Sequence, residues 1–557
     1  MKKLILVYLF FIIVILIIIA KLFYLQIFTS NKTIQSNYLK TEKLMPERGK
    51  IFDRYGEIIA DNQLIYSLIV DPQQIIKDNK KEKLIYFLTE KLSVDKATLE
   101  AGLSRNLRWY QIKKVDPKTK KQLEKEKEFQ FFFEEEEKRF YPEASLAAHL
   151  VGFVGKNYQG ESIGYFGVEG YYNKDLAGLA GLLKSERNLF NFPILLGSQE
   201  FVNPENGRNL YLTIDKSVQK IIKEELKKGM ENYKAKSGCV IAADPNNLEI
   251  LGLTCLPDFD PNYYYQYSED LLKNSAIFDL FEPGSIFKPL IVAAALEENK
   301  IKPYDQVNED GPYQLGEYQI KTWNNKYEEK ISITRVLEKS SNVGMVIIGQ
   351  KLGRENTFKY LKKFGFGEKT GIDLQGEAET YLKPQSQWYP IDYATVTFGQ
   401  GIAVTPIQMI TAFSSLINGG YLYYPRTVKQ ISDQKNNFTV HQKVKRQVIS
   451  QKTSEIIKKM LYLTVENAEV DWKKIKPHGY KIGGKTGTAQ IAIAGHYDPH
   501  KTIASFIGFF PVDKPKIVVL VTLKEPSTST WGSETAAPIF FSIAKQLLIY
   551  YNIPPEE

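Results

Sequence analysis

The chain is poor in the residues that most often announce a chemistry. It holds 2 cysteines and 5 histidines in 557 residues, too few for a disulfide-stapled scaffold or a zinc ribbon. The histidines show no metal-ligand spacing outside Gly495-His-Tyr-Asp-Pro-His500. There, glycine and proline around His496, Asp498 and His500 favour a turn over a metal site. Cys239 and Cys255 flank a predicted hairpin and read as two small buried hydrophobes, although an oxidising exterior would permit a cross-strand disulfide. Arginine-rich blocks and RNA-binding signatures are missing, and the net charge of +9 comes from dispersed lysines. That excludes nucleic-acid recognition and suits a surface facing anionic lipid or wall polymer. The glycine-rich segment 164–181 follows no strand-to-helix phosphate pattern, so it is assigned to structure.

Long hydrophobic runs are missing too, with one exception. Leu4 to Ala20 is uninterrupted by charge, preceded by Lys2 and Lys3 and followed by Lys21. At about 1.5 Å per residue such a helix spans a bilayer. The exit Ala20-Lys-Leu-Phe-Tyr lacks a small-x-small cleavage pattern, so the run reads as an uncleaved anchor. The two lysines place the amino terminus in the cytoplasm and everything after about residue 28 outside. The length implies several domains. The expected organisation is an anchor over residues 1–27, a β-rich elongated pedestal over 28–205 and a catalytic domain over 206–557. Within the pedestal, Arg48 to Ala60 reads as strand, turn, strand, and the stretches 80–100 and 116–128 read as charged helices.

The chemistry concentrates in Phe281-Glu-Pro-Gly-Ser285-Ile-Phe-Lys288-Pro-Leu290. Pro283 and Gly284 end what precedes, and Ser285 opens a helix backed by the apolar residues Ile286, Leu290, Ile291, Ala294 and Leu296. Residues three apart on a helix are neighbours, and a desolvated lysine beside another cation can take a serine's proton. Ser-x-x-Lys also occurs at Ser93, Ser217, Ser432 and Ser542, so the pattern needs partners. Ser340-Ser-Asn342 interrupts a predicted helix over 333–352 and can aim a hydroxyl and an amide into one cleft. Tyr480 to Gln490 reads as a strand whose glycines bare one edge for an extended peptide, with Lys485 and Thr486 placed to hold a terminal carboxylate. Lys369-Thr-Gly371 sits in a glycine-rich loop and is set aside. A hairpin over 238–254, strands over 502–510 and 516–523 and a last helix over 536–550 complete an α/β sandwich.

The ordered set Ser285-x-x-Lys288, Ser340-x-Asn342, Lys485-Thr486-Gly487 resembles the penicillin-binding-protein and serine β-lactamase superfamily. The anchor, the Arg48-Gly-x-Ile-x-Asp-Arg-x-Gly56 segment and the segment 167–181 resemble the pedestal of the class B, monofunctional penicillin-binding proteins. Phe398-Gly-Gln-Gly401 and Thr405-Pro406 fit the same family, and the ending from Ala504 onward is closer to its division and sporulation type than to its elongation type. The resemblance implies a multi-domain α/β protein whose catalytic sandwich holds a five-stranded antiparallel sheet. It implies that Ser285 attacks the penultimate D-alanine carbonyl of a muropeptide stem, with Lys288 as base. Ser340 would pass a proton to the leaving amine and Asn342 would hold the substrate amide. Lys485, Thr486, Gly487, Thr488 and Trp323 would bind substrate, and the backbone amides of Ser285 and Thr488 would form the oxyanion hole. A neighbouring stem's amine would then resolve the acyl-enzyme. No metal or organic cofactor is implied, and β-lactams would acylate Ser285.

A β-lactamase would need a water-activating base, and no Glu-x-x-Leu-Asn segment is found. A D,D-carboxypeptidase with water as acceptor stays open, as does a wall-assembly scaffold, although a scaffold should have lost a motif residue. A β-lactam sensor should carry cytoplasmic or additional membrane segments. The pedestal implies a partner, a polytopic glycan polymerase of the shape, elongation, division and sporulation (SEDS) class.

Overall fold

The structure, a computed structural model, describes residues 2–29, 39–186, 199–433, 435–493 and 496–556. The chain forms two compact units, residues 1–49 with 177–208, and residues 50–176 with 209–557. In the first, the apolar run is a helix, Lys2–Tyr24, and Val7–Ile27 is long and apolar enough to cross a membrane. The same unit holds a three-stranded antiparallel sheet with Gly181–Glu186 between Leu39–Leu44 and Gln199–Val202.

In the second unit, the expected strand, turn, strand is Ile51–Phe52 and Ile58–Val70. Asp53 shapes the turn, its Oδ1 accepting from the amides of Tyr55 and Glu57 at 2.8 and 2.9 Å. Ile51–Phe52 pairs parallel with Asn209–Leu212, which pairs antiparallel with Val428–Ser432. One seven-stranded sheet therefore draws on distant parts of the sequence. Arg54 and Arg426 converge on Glu249 at 3.4 and 2.5 Å, so the arginine of that turn has a structural partner. The charged helical stretches form as Lys81–Leu92, Lys96–Leu103 and Pro117–Leu123, and their apolar faces meet Leu68 and Val70 of the long strand.

The catalytic sandwich is built on a five-stranded antiparallel sheet in the order Ile250–Leu256, Ser237–Ala243, Ile517–Lys524, His496–Phe510, Gly483–Ile493. The strand Ile517–Lys524 is apolar at nearly every position because both faces are covered. Ile241, Phe509, Val518 and Leu520 pack on the side of helices Lys288–Glu297, Asn342–Leu352 and Pro406–Ile417, whereas Val240, Phe506, Val519 and Val521 pack against helices Lys216–Tyr233 and Ala536–Tyr550.

Three sequence expectations are corrected. Cys239 and Cys255 are directly opposed across the hairpin and form a disulfide; pairing register decides this, and spacing along the chain does not reveal it. The stretch expected as a turn around His496 is strand, with Tyr497 opposite Ala492 and Asp498 opposite Ile491. The side chains of His496 and His500 lie outside the described residues. The helix after Ser285 is buried at every position from Lys288 to Leu296, not along one stripe, because helices pack around it as well as the sheet.

Candidate active site

The turn that carries Ser285 is held from three sides. Phe281 and Val404 exchange backbone hydrogen bonds at 2.9 Å each, and the amide of Gly284 donates to the Gly399 carbonyl at 3.0 Å. Gly284 has φ +55°, and a Cβ there would lie 3.2 Å from the carbonyl oxygen of Thr488, so the turn rests against the sheet's edge strand. One tight helical turn, Gly284–Phe287, leads into the α-helix Lys288–Glu297, where Pro289 sits in the first turn and has no amide to satisfy.

Lys288 is fully buried. Its ammonium donates to the Ser340 carbonyl at 2.7 Å, the Ser340 hydroxyl at 3.2 Å and Oδ1 of Asn342 at 2.8 Å. Burial pushes its proton affinity well below that of an ordinary lysine; the nearby Lys485 adds to the effect and Glu309 opposes it. The predicted helical break is real. Helix Ile333–Glu338 ends, Ser340 takes φ +58°, and helix Asn342–Leu352 begins with the Ser341 hydroxyl accepting from the Gly344 amide at 2.9 Å. Asn342 Nδ2 donates to the Lys321 carbonyl at 3.1 Å.

Lys485, Thr486, Gly487 and Thr488 lie on the edge strand Gly483–Ile493. Lys485 is 2% exposed, its ammonium meeting the carbonyl and hydroxyl of Thr486 at 3.2 and 3.3 Å. Burial pulls its pKa down to about 7. A Cβ on Gly487 would stand 2.4 Å from the Ser505 hydroxyl and 3.0 Å from the Pro283 carbonyl, so a glycine lets strand and serine turn touch. The Thr488 hydroxyl accepts from the Gly532 amide at 3.0 Å. Trp323 donates from Nε1 to the Lys339 carbonyl at 3.1 Å and meets Trp531 edge-on at 5.1 Å.

These elements border an open cleft whose lining includes Ser285, Ser340, Asn342, Lys485, Thr486, Thr488 and Trp323. Lys288 stands beneath it through its bonds to Ser340 and Asn342, and Gly487 beside the serine turn. The structure thus brings every sequence-predicted site residue together. The other Ser-x-x-Lys serines have local work: Ser93 ends a helix, Ser217 donates its amide to the Asp215 cap, Ser432 bonds Asn437, and Ser542 bonds Glu225. Thr370 of the second Lys-Thr-Gly bonds Glu377 in a loop. Sequence reasoning missed Trp531, Glu338, Glu469 and Trp472, which also line the cleft, and the buried Glu309. No motif marks them; only the scarcity of tryptophan, 5 in the chain, could have drawn notice to Trp531. Among the described residues no cluster of histidine, cysteine and carboxylates could hold a metal ion.

The arrangement is suited to acyl transfer from a carboxyl-terminal peptide. A lysine with weakened proton affinity follows the serine by one turn and touches a second hydroxyl, and a second buried lysine sits on a strand edge open to an extended chain. Comparison with known proteins gives the same direction. Residues 238–545 match the family model described as penicillin binding protein transpeptidase domain, and residues 43–212 match the penicillin-binding protein dimerisation domain. The chain is 35% identical to stage V sporulation protein D of Bacillus subtilis, over all of this chain and 87% of that one. It is 27% identical to the peptidoglycan D,D-transpeptidase FtsI of Escherichia coli, over 93% and 86%. Its fold is similar to that of penicillin binding protein 2X from Streptococcus thermophilus, with a TM-score of 0.77 at 22% identity, covering 92% of this chain and 80% of that one.

Proposed function

The chain belongs to the penicillin-binding-protein transpeptidases, and from that membership we propose that it cross-links peptidoglycan through an acyl-enzyme on Ser285. It is a D,D-transpeptidase of the division and sporulation type, acting on stem peptides and binding β-lactams. The observation that carries the residue assignment is Lys288, buried, low in proton affinity and bonded to both Ser340 and Asn342.

In acylation, the Ser285 Oγ attacks the penultimate D-alanine carbonyl while its proton passes to neutral Lys288. The amides of Ser285 and Thr488 stabilise the oxyanion, a contribution of about 3 kcal/mol per donor in comparable sites. The C–N bond to the terminal D-alanine breaks, and its nitrogen receives the proton from Lys288 by way of Ser340, which accepts from Lys288 at 3.2 Å. Asn342 holds the stem amide. Lys485, charged when a carboxylate is beside it, and Thr486 hold the terminal carboxylate, while Gly487 keeps the strand close and Trp323 borders the stem. In the second half, the acceptor amine attacks the ester carbonyl and gives up one N–H proton, the C–Oγ bond breaks, and that proton passes to the Ser285 Oγ.

The apolar helix Lys2–Tyr24 fits a single-pass membrane anchor. Lys2 and Lys3 support a cytoplasmic amino terminus, with the pedestal (28–205) and transpeptidase domain (206–557) on the outer side. The anchor and the segment after it would contact a glycan polymerase of the SEDS class. A direct test supplies a stem peptide ending in D-Ala-D-Ala together with an amine-bearing second stem. Expected are released D-alanine and a cross-linked product, both lost in Ser285→Ala; release with hydrolysed product alone, whatever the acceptor concentration, would make the chain a carboxypeptidase instead.

A further inference from the structure

Ser340 is strained and yet well placed. A serine at φ +58° is in the left-handed region that side chains disfavour, and something must hold it there. Its neighbours on both sides are bound by one residue. Glu309 is completely buried; its Oε2 accepts from the Lys339 ammonium and its Oε1 from the Ser341 hydroxyl. Ser341 in turn caps the helix that starts at Asn342, and the Lys339 carbonyl receives the Trp323 indole.

We infer that Glu309 is a positioning residue of the acyl-transfer site: one carboxylate oxygen grips each flank of Ser340 and keeps its carbonyl and hydroxyl oxygens turned toward Lys288. Stability alone is a poor reason for this ion pair, since apolar residues of similar volume often serve a buried position as well or better. Lys339 would also keep Glu328, at 3.5 Å, if Glu309 lost its charge. What Glu309 alone supplies is the simultaneous hold on residues 339 and 341. It also faces Lys288 electrostatically, favouring the protonated lysine against the opposing influence of Lys485. The inference rests on the assignment of Lys288 and Ser340 to proton transfer.

The test uses the full-length protein in detergent micelles and follows acylation by a fluorescent penicillin, with intact mass and thermal melting alongside. The variants are Glu309→Gln and the double variant Glu309→Leu/Lys339→Met, which removes both charges and keeps volume. Expected for both is a folded protein whose acylation is slowed on the order of 10²-fold, the cost of misplacing a reacting group by about 1 Å. In Glu309→Gln the acid limb of the pH profile moves to lower pH, because the carboxylate that favours protonated Lys288 is gone. A folded double variant that acylates at the wild-type rate overturns the inference and leaves Glu309 a stabilising residue. A wild type that never acylates at Ser285 overturns the underlying assignment, and the inference with it.

Discussion

Lys288 and Lys485 are two ammonium groups taken out of water within one site, and their cost sets a measurable pH dependence. Lys485 falls from an ordinary 10.5 to about 7 on folding, so between those values the unfolded chain binds the proton that the folded chain does not. Stability therefore rises with pH across that window, and the penalty is complete below about 7. Lys485→Met should be more stable than wild type at pH 7, by on the order of several kcal/mol, should therefore melt at a higher temperature by a margin that shrinks toward pH 10, and should lose acylation. Thermal melts across that range check it, and a difference that does not vary with pH would contradict it. The clustering of Ser285, Lys288, Ser340, Asn342 and Lys485 was legible because each sits in a short motif whose order is informative. Glu309 was not, since its meaning lies in contacts with residues 30 and 32 positions away. Trp531 was hidden for the same reason, standing far in sequence from the Trp323 it meets.

The edge strand and the serine turn work as a pair, and glycine sets their separation. Gly487→Ala would push a methyl against the Ser505 hydroxyl and the Pro283 carbonyl. Acylation should fall about 10-fold to 10²-fold, with a smaller effect on melting than on rate. Adding Ser505→Ala should restore part of the rate, because the side-chain clash is relieved and the backbone one remains. Mass-resolved acylation kinetics on the single and double variants measure this; equal rates in wild type and Gly487→Ala would show that strand and turn have room to spare. Element types were readable from periodicity, and the helical break at Ser340 was anticipated from its polar residues. The burial of helix Lys288–Glu297 on all sides was not, because an apolar run cannot reveal how many neighbours cover it. The strand around Tyr497 was lost because glycine and proline nearby in the sequence signal a turn, whereas its pairing register is set by a partner strand.

The anchor and the disulfide bear on the compartment together. A bond between Cys239 and Cys255 belongs in an oxidising exterior, the side on which the positive amino terminus would leave the catalytic domain. Both thiols should resist alkylation in the native, unreduced protein and after unfolding, reacting only once a reductant is added; alkylation of unfolded but unreduced chain would contradict this. That a dimerisation domain precedes a transpeptidase domain was legible from the motifs. Strand exchange between residues 51–52, 209–212 and 428–432 was not, because nonlocal pairing leaves no mark in any one segment. What decides between an acyl-transfer enzyme and a scaffold is whether Ser285 becomes an ester. Full-length wild type and Ser285→Ala should be incubated with a fluorescent penicillin and followed by intact mass and peptide mapping. A single, slowly released adduct mapped to Ser285 in wild type, and none in the variant, is the expected result. No adduct on folded wild type, or an adduct that persists in Ser285→Ala, would contradict it.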